Sequence, residues 1–290
     1  MTKKTKRAAY VNEFASIFRC PICKGSMKVV DFKSLICVKN HTFDFAKQGY
    51  LNLMNHPSNT HYNKELFEAR HHMITSSHLY TLMHEEISKV IKRYMSASNA
   101  SCLIVDAGCG EGSHLQQILN GCMSQTIAGV GLDISKEGII KAAKKYEQPI
   151  WLVGDLAKLP FQDQSIHVIL NILSPSNYKE FKRVLVPEGI VIKVVPGPNY
   201  LKELREVLFS NNEKKAYRNE ATVSLFKKNF QLLDVIDLCY TKKLAKTDLR
   251  NLVQMTPLAW SSDKENKDVY LKSDTADITV DLAILVGINK

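Results

Sequence analysis

The residue types best suited to chemistry follow a short apolar run near the middle of the chain. Asp106 comes directly after the apolar residues 103–105, and Gly108, Gly110 and Gly112 stand at alternate positions beyond it. Glycine is needed where the backbone bends sharply or where a ligand approaches it closely. A strand, a glycine turn and the start of a helix together predict a pocket for a nucleotide-type ligand at the carboxyl edge of a parallel sheet.

The glycine spacing distinguishes between possible ligands. The run is G-x-G-x-G, whereas the pyrophosphate fingerprint of NAD-binding proteins is G-x-G-x-x-G. This run resembles motif I of the class I S-adenosylmethionine-dependent methyltransferases. Asp133 ends a second strand-like run, and its carboxylate can accept hydrogen bonds from two ribose hydroxyls. The alternative is a glycine turn in a generic α/β domain.

A third acidic residue follows the next apolar run. Asp155 is placed to meet the adenine amino group of such a cofactor, and Leu156 to flank its ring. A carboxylate in this position also caps turns and helices, and that alternative stays open for Asp155.

Four residues near the N-terminus have the spacing of a metal site. Cys20 and Cys23 form C-x2-C, and Cys37 and His41 form C-x3-H. Three thiolates and one imidazole suit tetrahedral zinc, and a complete set of four protein ligands leaves no position for substrate. We therefore expect a structural zinc ion, since a module this small has too little core to fold without one. Unrelated buried cysteines are the alternative.

Aromatic residues follow the predicted metal ligands closely, and two roles are open to them. Phe43 and Phe45 are expected to pack the zinc module. Lys47, Gln48 and Tyr50 remain candidates for stacking on and hydrogen-bonding to RNA bases.

The remaining chain supplies elements that position these residues. Helices are predicted from Lys64 and over residues 79–95, and residues 70–80 between them are a candidate lid over the cofactor. Apolar runs and intervening amphipathic segments then alternate to the C-terminus, which predicts a parallel sheet with helices. We expect an α/β, Rossmann-like fold with a small N-terminal zinc-binding module. The expected boundaries are 1–55 (a mobile basic arm over residues 1–15, then the zinc and RNA-recognition module), 56–100 (linker and helical lid) and 101–290 (methyltransferase domain).

Charge is concentrated at the N-terminus. The chain has 39 basic and 29 acidic residues, a formal net charge of +10, and residues 1–50 contain ten of the basic residues against three acids. This asymmetry favours a polyanionic partner, nucleic acid before membrane. No apolar run approaches a membrane span or a secretory signal. Seven cysteines, three of them grouped with a histidine, favour metal binding in a reducing compartment, so we expect a cytoplasmic protein.

Several longer motifs together resemble one family. They include C-P-x-C, H-x-F-D-x-A-K-x-G-Y-x-N-L, the pair Ala69–Arg70, D-x-G-C-G-E-G, and M-T-P-x-A-W at residues 255–260. The chain resembles the bacterial 23S ribosomal RNA guanine-N1 methyltransferases over nearly its whole length from Phe18. The resemblance implies a zinc ion held by the Cys/His set and a guanine in a 23S rRNA hairpin loop as substrate. It further implies that S-adenosylmethionine is contacted by Tyr80, Gly110, Glu111 and Tyr200, and it suggests an influence on sensitivity to macrolide-type antibiotics.

The residues that would meet the target base are less clearly marked. Asn171 and Ser174 follow the fourth strand-like run, where the transferred methyl group lies in such folds, and Trp260 could form a stacking wall or simply be a core residue. No side chain is assigned as general base. Alternatives are a small-molecule methyltransferase with the zinc module as a substrate lid, and a non-catalytic RNA-binding protein. A homodimer is a further open expectation.

Overall fold

The structure is a computed structural model that describes residues 2–56, 62–96, 102–122, 127–209, 217–261 and 273–290. The N-terminal elements are α1 (Lys3–Glu13), β1 (Met27–Val30), β2 (Ser34–Cys37), β3 (Thr42–Asp44) and β4 (Leu51–Asn52). They are followed by α2 (Lys64–Thr75), α3 (Thr81–Ser96), β5 (Cys102–Ala107), α4 (Ser113–Cys122), β6 (Ile127–Asp133), α5 (Lys136–Lys145) and β7 (Ile150–Val153). The C-terminal elements are β8 (Ile166–Ile172), α6 (Tyr178–Val184), β9 (Leu185–Pro196), α7 (Lys202–Leu208), α8 (Glu220–Asn229), β10 (Gln231–Ala245), α9 (Lys246–Met255) and β11 (Thr275–Ile288).

Helix α1 lies where the sequence predicted a mobile basic arm, and that prediction is wrong for Lys3–Glu13. The Thr2 side chain caps the helix by accepting a hydrogen bond from the backbone N–H of Thr5. Ala8 and Val11 lie on its inner face and are buried in the core. Arg7 is buried as well, and its guanidinium donates to backbone carbonyls near residue 146. The lysines that suggested an arm occupy the outer part of a packed amphipathic helix.

The zinc module, residues 18–45, contains a three-stranded antiparallel sheet in the order β1-β2-β3. Met27 lies opposite Cys37 on β2, and Leu35 lies opposite Phe43 on β3. Phe43 and Phe45 are buried, which confirms their predicted packing role.

The zinc module shares its hydrophobic core with the large sheet. Strand β4 follows the module directly and extends the large sheet by pairing in parallel with β7. Phe18 also contacts Phe161, with ring centroids 6.1 Å apart. The boundaries predicted at residues 55 and 100 stay a prediction, and the packed core runs across the first of them.

Helices α2 and α3 confirm the two helices predicted before the glycine run. Asn63 caps α2, with its side chain accepting from the backbone N–H of Leu66 at 2.9 Å. Helix α3 buries Met83, Ile87 and Ile91 along one stripe, the spacing that predicted it. The candidate lid at residues 70–80 is the end of α2 and the turn into α3.

The large sheet has eight strands in the order β10-β11-β9-β8-β5-β6-β7-β4. Neighbouring strands from β9 to β4 are parallel, and β11 and β10 complete the other edge in antiparallel orientation. The chain order reverses between β5 and β8, so the carboxyl ends of these strands form the crevice where such sheets bind ligands. The predicted α/β class I methyltransferase fold is confirmed, with β4 as an additional edge strand.

Both faces of the parallel sheet are covered, which explains why its strands read as continuous apolar runs. Ile104 packs into the layer that contains α3 and α4, whereas Leu103 and Val105 face the layer that contains the zinc module and α6. Strand β9 begins at Leu185, five residues before the apolar run that starts at Ile190. Within the described residues, no helix has both the length and the apolar character of a membrane span.

Candidate functional site

The four predicted metal ligands converge. The ligand atoms of Cys20, Cys23, Cys37 and His41 all lie within 4.8 Å of one another. Cys23 Sγ is 3.5 Å from Cys37 Sγ, and His41 Nδ1 is 3.3 Å from Cys37 Sγ. Tetrahedral zinc with these donors separates its ligand atoms by about 3.5–3.8 Å. The donor set therefore fits a structural zinc ion.

Backbone groups prepare one of the thiols for a metal. The N–H groups of Lys39 and His41 each donate to Cys37 Sγ at 3.3 Å. Such donors stabilise the thiolate, which is the form that binds zinc.

The glycine run forms a tight turn between β5 and α4. Gly108, Gly110 and Gly112 all have positive φ. A side chain at Gly108 would collide with Ser174 Oγ, so this glycine is required by packing against the segment after β8. A methyl group at Gly110 would lie 3.3 Å from the Arg70 guanidinium carbon. Gly110 is therefore the glycine of the run that faces the buried charged groups.

Asp133 holds this turn from the end of β6. Its Oδ2 accepts from the backbone N–H of Gly110 at 2.8 Å, and its Oδ1 accepts from Ser135 at 2.7 Å. The carboxylate is half-buried and retains lone pairs on both oxygens, so its predicted contact with ribose hydroxyls stays a prediction.

Asp155 and Leu156 follow β7, at the same edge of the sheet. Asp155 Oδ1 accepts from the backbone N–H of Ala157 at 2.8 Å, which is the turn-capping role that the sequence left open. Leu156 is half-buried and packs against the core. Their adenine contacts stay predictions.

Three ionisable side chains beside the glycine turn have buried hydrogen-bonding atoms that are unused. Arg70 Nε, Asp106 Oδ1 and Glu111 Oε2 are buried and lack a hydrogen-bond partner in the described structure. Arg70 Nε and Glu111 Oε2 are 3.0 Å apart, so their charges attract, but their geometry is not that of a hydrogen bond. Buried polar atoms are nearly always paired in folded proteins. One donor beside two acceptors complements the carboxylate and ammonium of an amino acid, so these residues fit the methionine part of S-adenosylmethionine.

The two tyrosines that the resemblance assigned to the cofactor meet at this site. Tyr80 precedes α3 and Tyr200 follows β9, and their hydroxyl oxygens are 2.7 Å apart. Burial raises the pKa of Tyr200 to about 12, so its hydroxyl stays protonated at neutral pH. Tyr80, Tyr200 and Glu111 all lie close enough to Arg70 to interact with it electrostatically, which places them at one site. Their contact with S-adenosylmethionine stays a prediction.

Asn171 is saturated by contacts within the protein. Its amide nitrogen lies within hydrogen-bond distance of Ala107 O, Pro175 O and Ser174 Oγ. Its amide oxygen accepts from Lys193 Nζ at 2.6 Å and from Ser176 Oγ at 2.7 Å. Asn171 thus fixes the turn after β8.

Ser174 and Trp260 are the other candidate contacts to the target base. Ser174 Oγ donates to Ala107 O at 2.8 Å and lies in the turn that Asn171 holds. Trp260 lies in the short helical turn Pro257–Ser261, and its side chain falls outside the described structure. Direct contacts from Asn171, Ser174 and Trp260 to a base stay predictions.

The sequence analysis assigned no role to two residues of this site, Arg70 and Lys193. Arg70 was noted only as half of a motif pair, although it lies at the glycine turn. Lys193 is buried and donates to Asn171 Oδ1, Ser176 Oγ and Ser174 O. The sequence signal for Lys193 is that it is the one charged residue in the apolar run of residues 190–195. A buried lysine is rare unless it is paired, so this position indicates polar partners in the fold.

Replacing a metal ligand should affect the zinc module but leave the cofactor site nearly unchanged. We expect Cys20→Ala to lose its zinc and to lower Tm by about 5 °C or more, because the small module depends on the metal. The affinity for S-adenosylhomocysteine should stay within about threefold, because the predicted cofactor residues lie outside the module. Elemental analysis, thermal unfolding and calorimetry provide the measurements. Cys239→Ala, at an exposed free cysteine, is the control; stoichiometric zinc in Cys20→Ala would contradict the assignment.

Asp106 should make cofactor binding dependent on pH. Burial raises its pKa to about 7; the Arg70 charge opposes this shift, and the carboxylates of Asp133 and Glu111 add to it. The ionised form attracts the ligand ammonium, so affinity should fall as pH drops through 7. Between pH 7.5 and 6.0 the ionised fraction of such a group decreases roughly eightfold.

Calorimetry with S-adenosylhomocysteine at these two pH values tests the dependence. Affinity should fall by about the same factor in the wild-type protein. Asp106→Asn should bind more weakly at pH 7.5 and show a flat profile. An equal pH dependence in this variant and in the wild-type protein would assign the titration to another group.

Comparison with known proteins supports the assignment of both the zinc module and the methyltransferase part of the chain. A zinc-ribbon family model described as "RlmA, N-terminal" matches residues 18–59, and one described as "Methyltransferase domain" matches residues 104–189. A Bacillus subtilis (strain 168) protein, provisionally named 23S rRNA (guanine-N(1)-)-methyltransferase YxjB, is 42% identical over 94% of this chain and 97% of its own. A Streptomyces fradiae protein named 23S rRNA (guanine(748)-N(1))-methyltransferase is 29% identical over 85% of this chain and 87% of its own.

A solved SAM-dependent methyltransferase from Aquifex aeolicus is also similar, with 14% identity, a TM-score of 0.48, and coverage of 79% of this chain and 100% of its own. Zinc and S-adenosylmethionine are confirmed as the cofactors, by the zinc-ribbon match with its Cys/His cluster and by the methyltransferase match. The likeness to YxjB extends over nearly the full length of both chains, and this chain therefore belongs to the bacterial 23S rRNA guanine-N1 methyltransferase family.

Proposed function

We propose that this protein transfers a methyl group from S-adenosylmethionine to N1 of a guanine in a hairpin loop of 23S rRNA. The observation that carries the proposal is the full-length likeness to relatives named for this reaction. A cytoplasmic location follows from the proposed substrate. Assembly as a homodimer stays a prediction, and so does an effect on macrolide-type antibiotics.

The charge distribution supports a nucleic-acid substrate. The excess of basic residues in residues 1–50 belongs to helix α1 and the zinc module, which are packed onto the methyltransferase part. Basic side chains on this surface would contact the phosphates of the hairpin, and such contacts weaken with salt. A loop guanine must leave its stack to enter a pocket, as bases do in other enzymes that modify them.

The reaction requires N1 of guanine to lose its proton. S-adenosylmethionine supplies an electrophilic methyl group, so the protein must orient the base and accommodate the released proton. The described residues show no unpaired base at the turn after β8. Lys193 donates to three oxygens there, so it acts as a fixed cation. Orientation by this turn is the contribution that the geometry supports.

Primer extension on a methylated hairpin tests the proposed function. A transcript of the 23S hairpin is incubated with the protein and S-adenosylmethionine and then copied by reverse transcriptase. We expect a new stop next to one loop guanine, because an N1 methyl group removes the proton needed for base pairing. Transcripts with each loop guanine changed singly to adenine would identify the target. Asp133→Asn is the control protein with a weakened cofactor site.

The alternatives give different results in the same experiment. Full-length extension despite normal binding of S-adenosylhomocysteine would contradict the proposal and favour a small-molecule substrate. Failure to bind S-adenosylhomocysteine by calorimetry would favour a non-catalytic RNA-binding protein.

Lys193 should matter for turnover more than for cofactor binding. Burial lowers its pKa to about 8, yet its three hydrogen bonds hold the turn of residues 173–176. Leu173 in that turn has a positive φ, a strained conformation that depends on its surroundings. We expect Lys193→Met to reduce kcat for RNA methylation by about 10- to 100-fold, because Asn171 and Ser176 lose a buried charged partner.

Matched measurements separate this effect from general damage. S-adenosylhomocysteine affinity of Lys193→Met should remain within about threefold of wild type. Lys179→Met, at an exposed lysine on α6, should leave kcat unchanged. Unchanged turnover in Lys193→Met would show that the buried cation has no part in positioning the base.

A further inference from the structure

Arg70 occupies an unusual position for an arginine. It lies on α2 and reaches the glycine turn, where its guanidinium carbon would be 3.3 Å from a methyl group at Gly110. Its side chain is 24% exposed, while the side chain of its neighbour Glu111 is fully buried. A bulky side chain at Gly110 would displace the guanidinium. The turn and the arginine are therefore adjacent parts of the same site.

Arg70 has hydrogen-bonding capacity that the described residues do not use. Its Nε is buried and lacks a hydrogen-bond partner among the described residues, although it is 3.0 Å from Glu111 Oε2. An arginine side chain has five N–H donors in a planar fork, which matches a carboxylate in bidentate geometry. A buried donor without an acceptor is costly, so the site is incomplete without a further acceptor.

The charges around Arg70 also indicate a ligand-binding site. Burial lowers the pKa of Arg70, but the carboxylates of Glu111, Asp106 and Asp133 together raise it above its ordinary value. One cation thus faces three acidic groups in a buried site. An amino acid with a sulfonium side chain brings one carboxylate and two positive charges. Such a ligand pairs with both the cation and the acids, whereas a simple anion would pair only with the cation.

Asp133 is partly engaged by the backbone. Its two oxygens accept from Gly110 and Ser135. The unpaired acceptors are Asp106 Oδ1 and Glu111 Oε2, next to the unpaired donor Arg70 Nε. This arrangement places one anion-binding group beside two cation-binding groups.

We infer that Arg70 binds the carboxylate of the methionine moiety of S-adenosylmethionine, while Asp106 and Glu111 face its ammonium. Arg70 then fixes the end of the cofactor that is remote from the adenine and orients the sulfonium group between them. This inference depends on the S-adenosylmethionine dependence of the family and not on which nucleotide is methylated.

A binding cycle with two ligands and two proteins tests the inference. The ligands are S-adenosylhomocysteine and its decarboxylated analogue, which keeps the amine and loses only the carboxylate. In the wild-type protein, calorimetry should show that the analogue binds about 10- to 100-fold more weakly, the value of a charge-assisted pair. In Arg70→Met the two ligands should bind within about threefold of each other, because the partner of the carboxylate is gone.

Two further variants serve as controls. Arg70→Lys retains the charge without the planar fork, and it should show an intermediate difference between the ligands. Lys141→Met removes a cation on α5 that is also near Glu111. Burial lowers the pKa of Lys141, and the carboxylates of Glu68 and Glu111 oppose this shift. This variant should keep the full wild-type discrimination. Circular dichroism and Tm verify folding of each variant.

The outcomes are distinct. Equal affinity of the wild-type protein for both ligands would overturn the inference without any need for a variant. The same discrimination in Arg70→Met as in wild type would overturn it as well. A wild-type protein that bound neither ligand would refute the cofactor assignment itself, whereas failure to methylate RNA with normal discrimination would refute only the proposed substrate.

Discussion

A carboxylate at the end of β6 fixes the turn that follows β5, and the site depends on this link. Asp133 accepts hydrogen bonds from Gly110 and Ser135, so one side chain joins the glycine turn to the start of α5. Glycine adopts positive φ without strain but also many other conformations, so a contact of this kind is what selects one of them. With the turn fixed, Asp106, Glu111 and Arg70 are held close together in a region that excludes most water.

The second organised part of the site is the turn after β8, and it rests directly on the first. Ser174 occupies the space that Gly108 leaves open, and Asn171 ties the turn to the end of β5 through Ala107. The buried ammonium of Lys193 holds the Asn171 amide and the Ser176 hydroxyl in one orientation. The glycine turn and the turn after β8 are therefore parts of one packed unit.

The sequence predicted the features that depend on local pattern and failed for those that depend on distant contacts. The metal ligands, the strand and glycine turn at residues 103–112 and the acid at Asp133 were placed correctly, because spacing and alternation determine them. Helix α1 was missed because its lysines hide a short apolar stripe, and because Arg7 finds its partners about 140 residues away. Arg70 and Lys193 were missed for a similar reason: their charges make sense only once α2 reaches the glycine turn and β9 lies beside β8.

Strand β4 has a consequence beyond the site. A sheet edge with free backbone groups is a template for pairing with other chains, and proteins commonly protect such edges. Here the segment that leaves the metal-bound module lies along β7 and occupies its outer edge at Leu152 and Val153. Without this segment the backbone of an apolar strand would form the edge of the sheet. Strand β4 replaces it with an edge only two paired residues long, which offers little backbone for pairing with another chain.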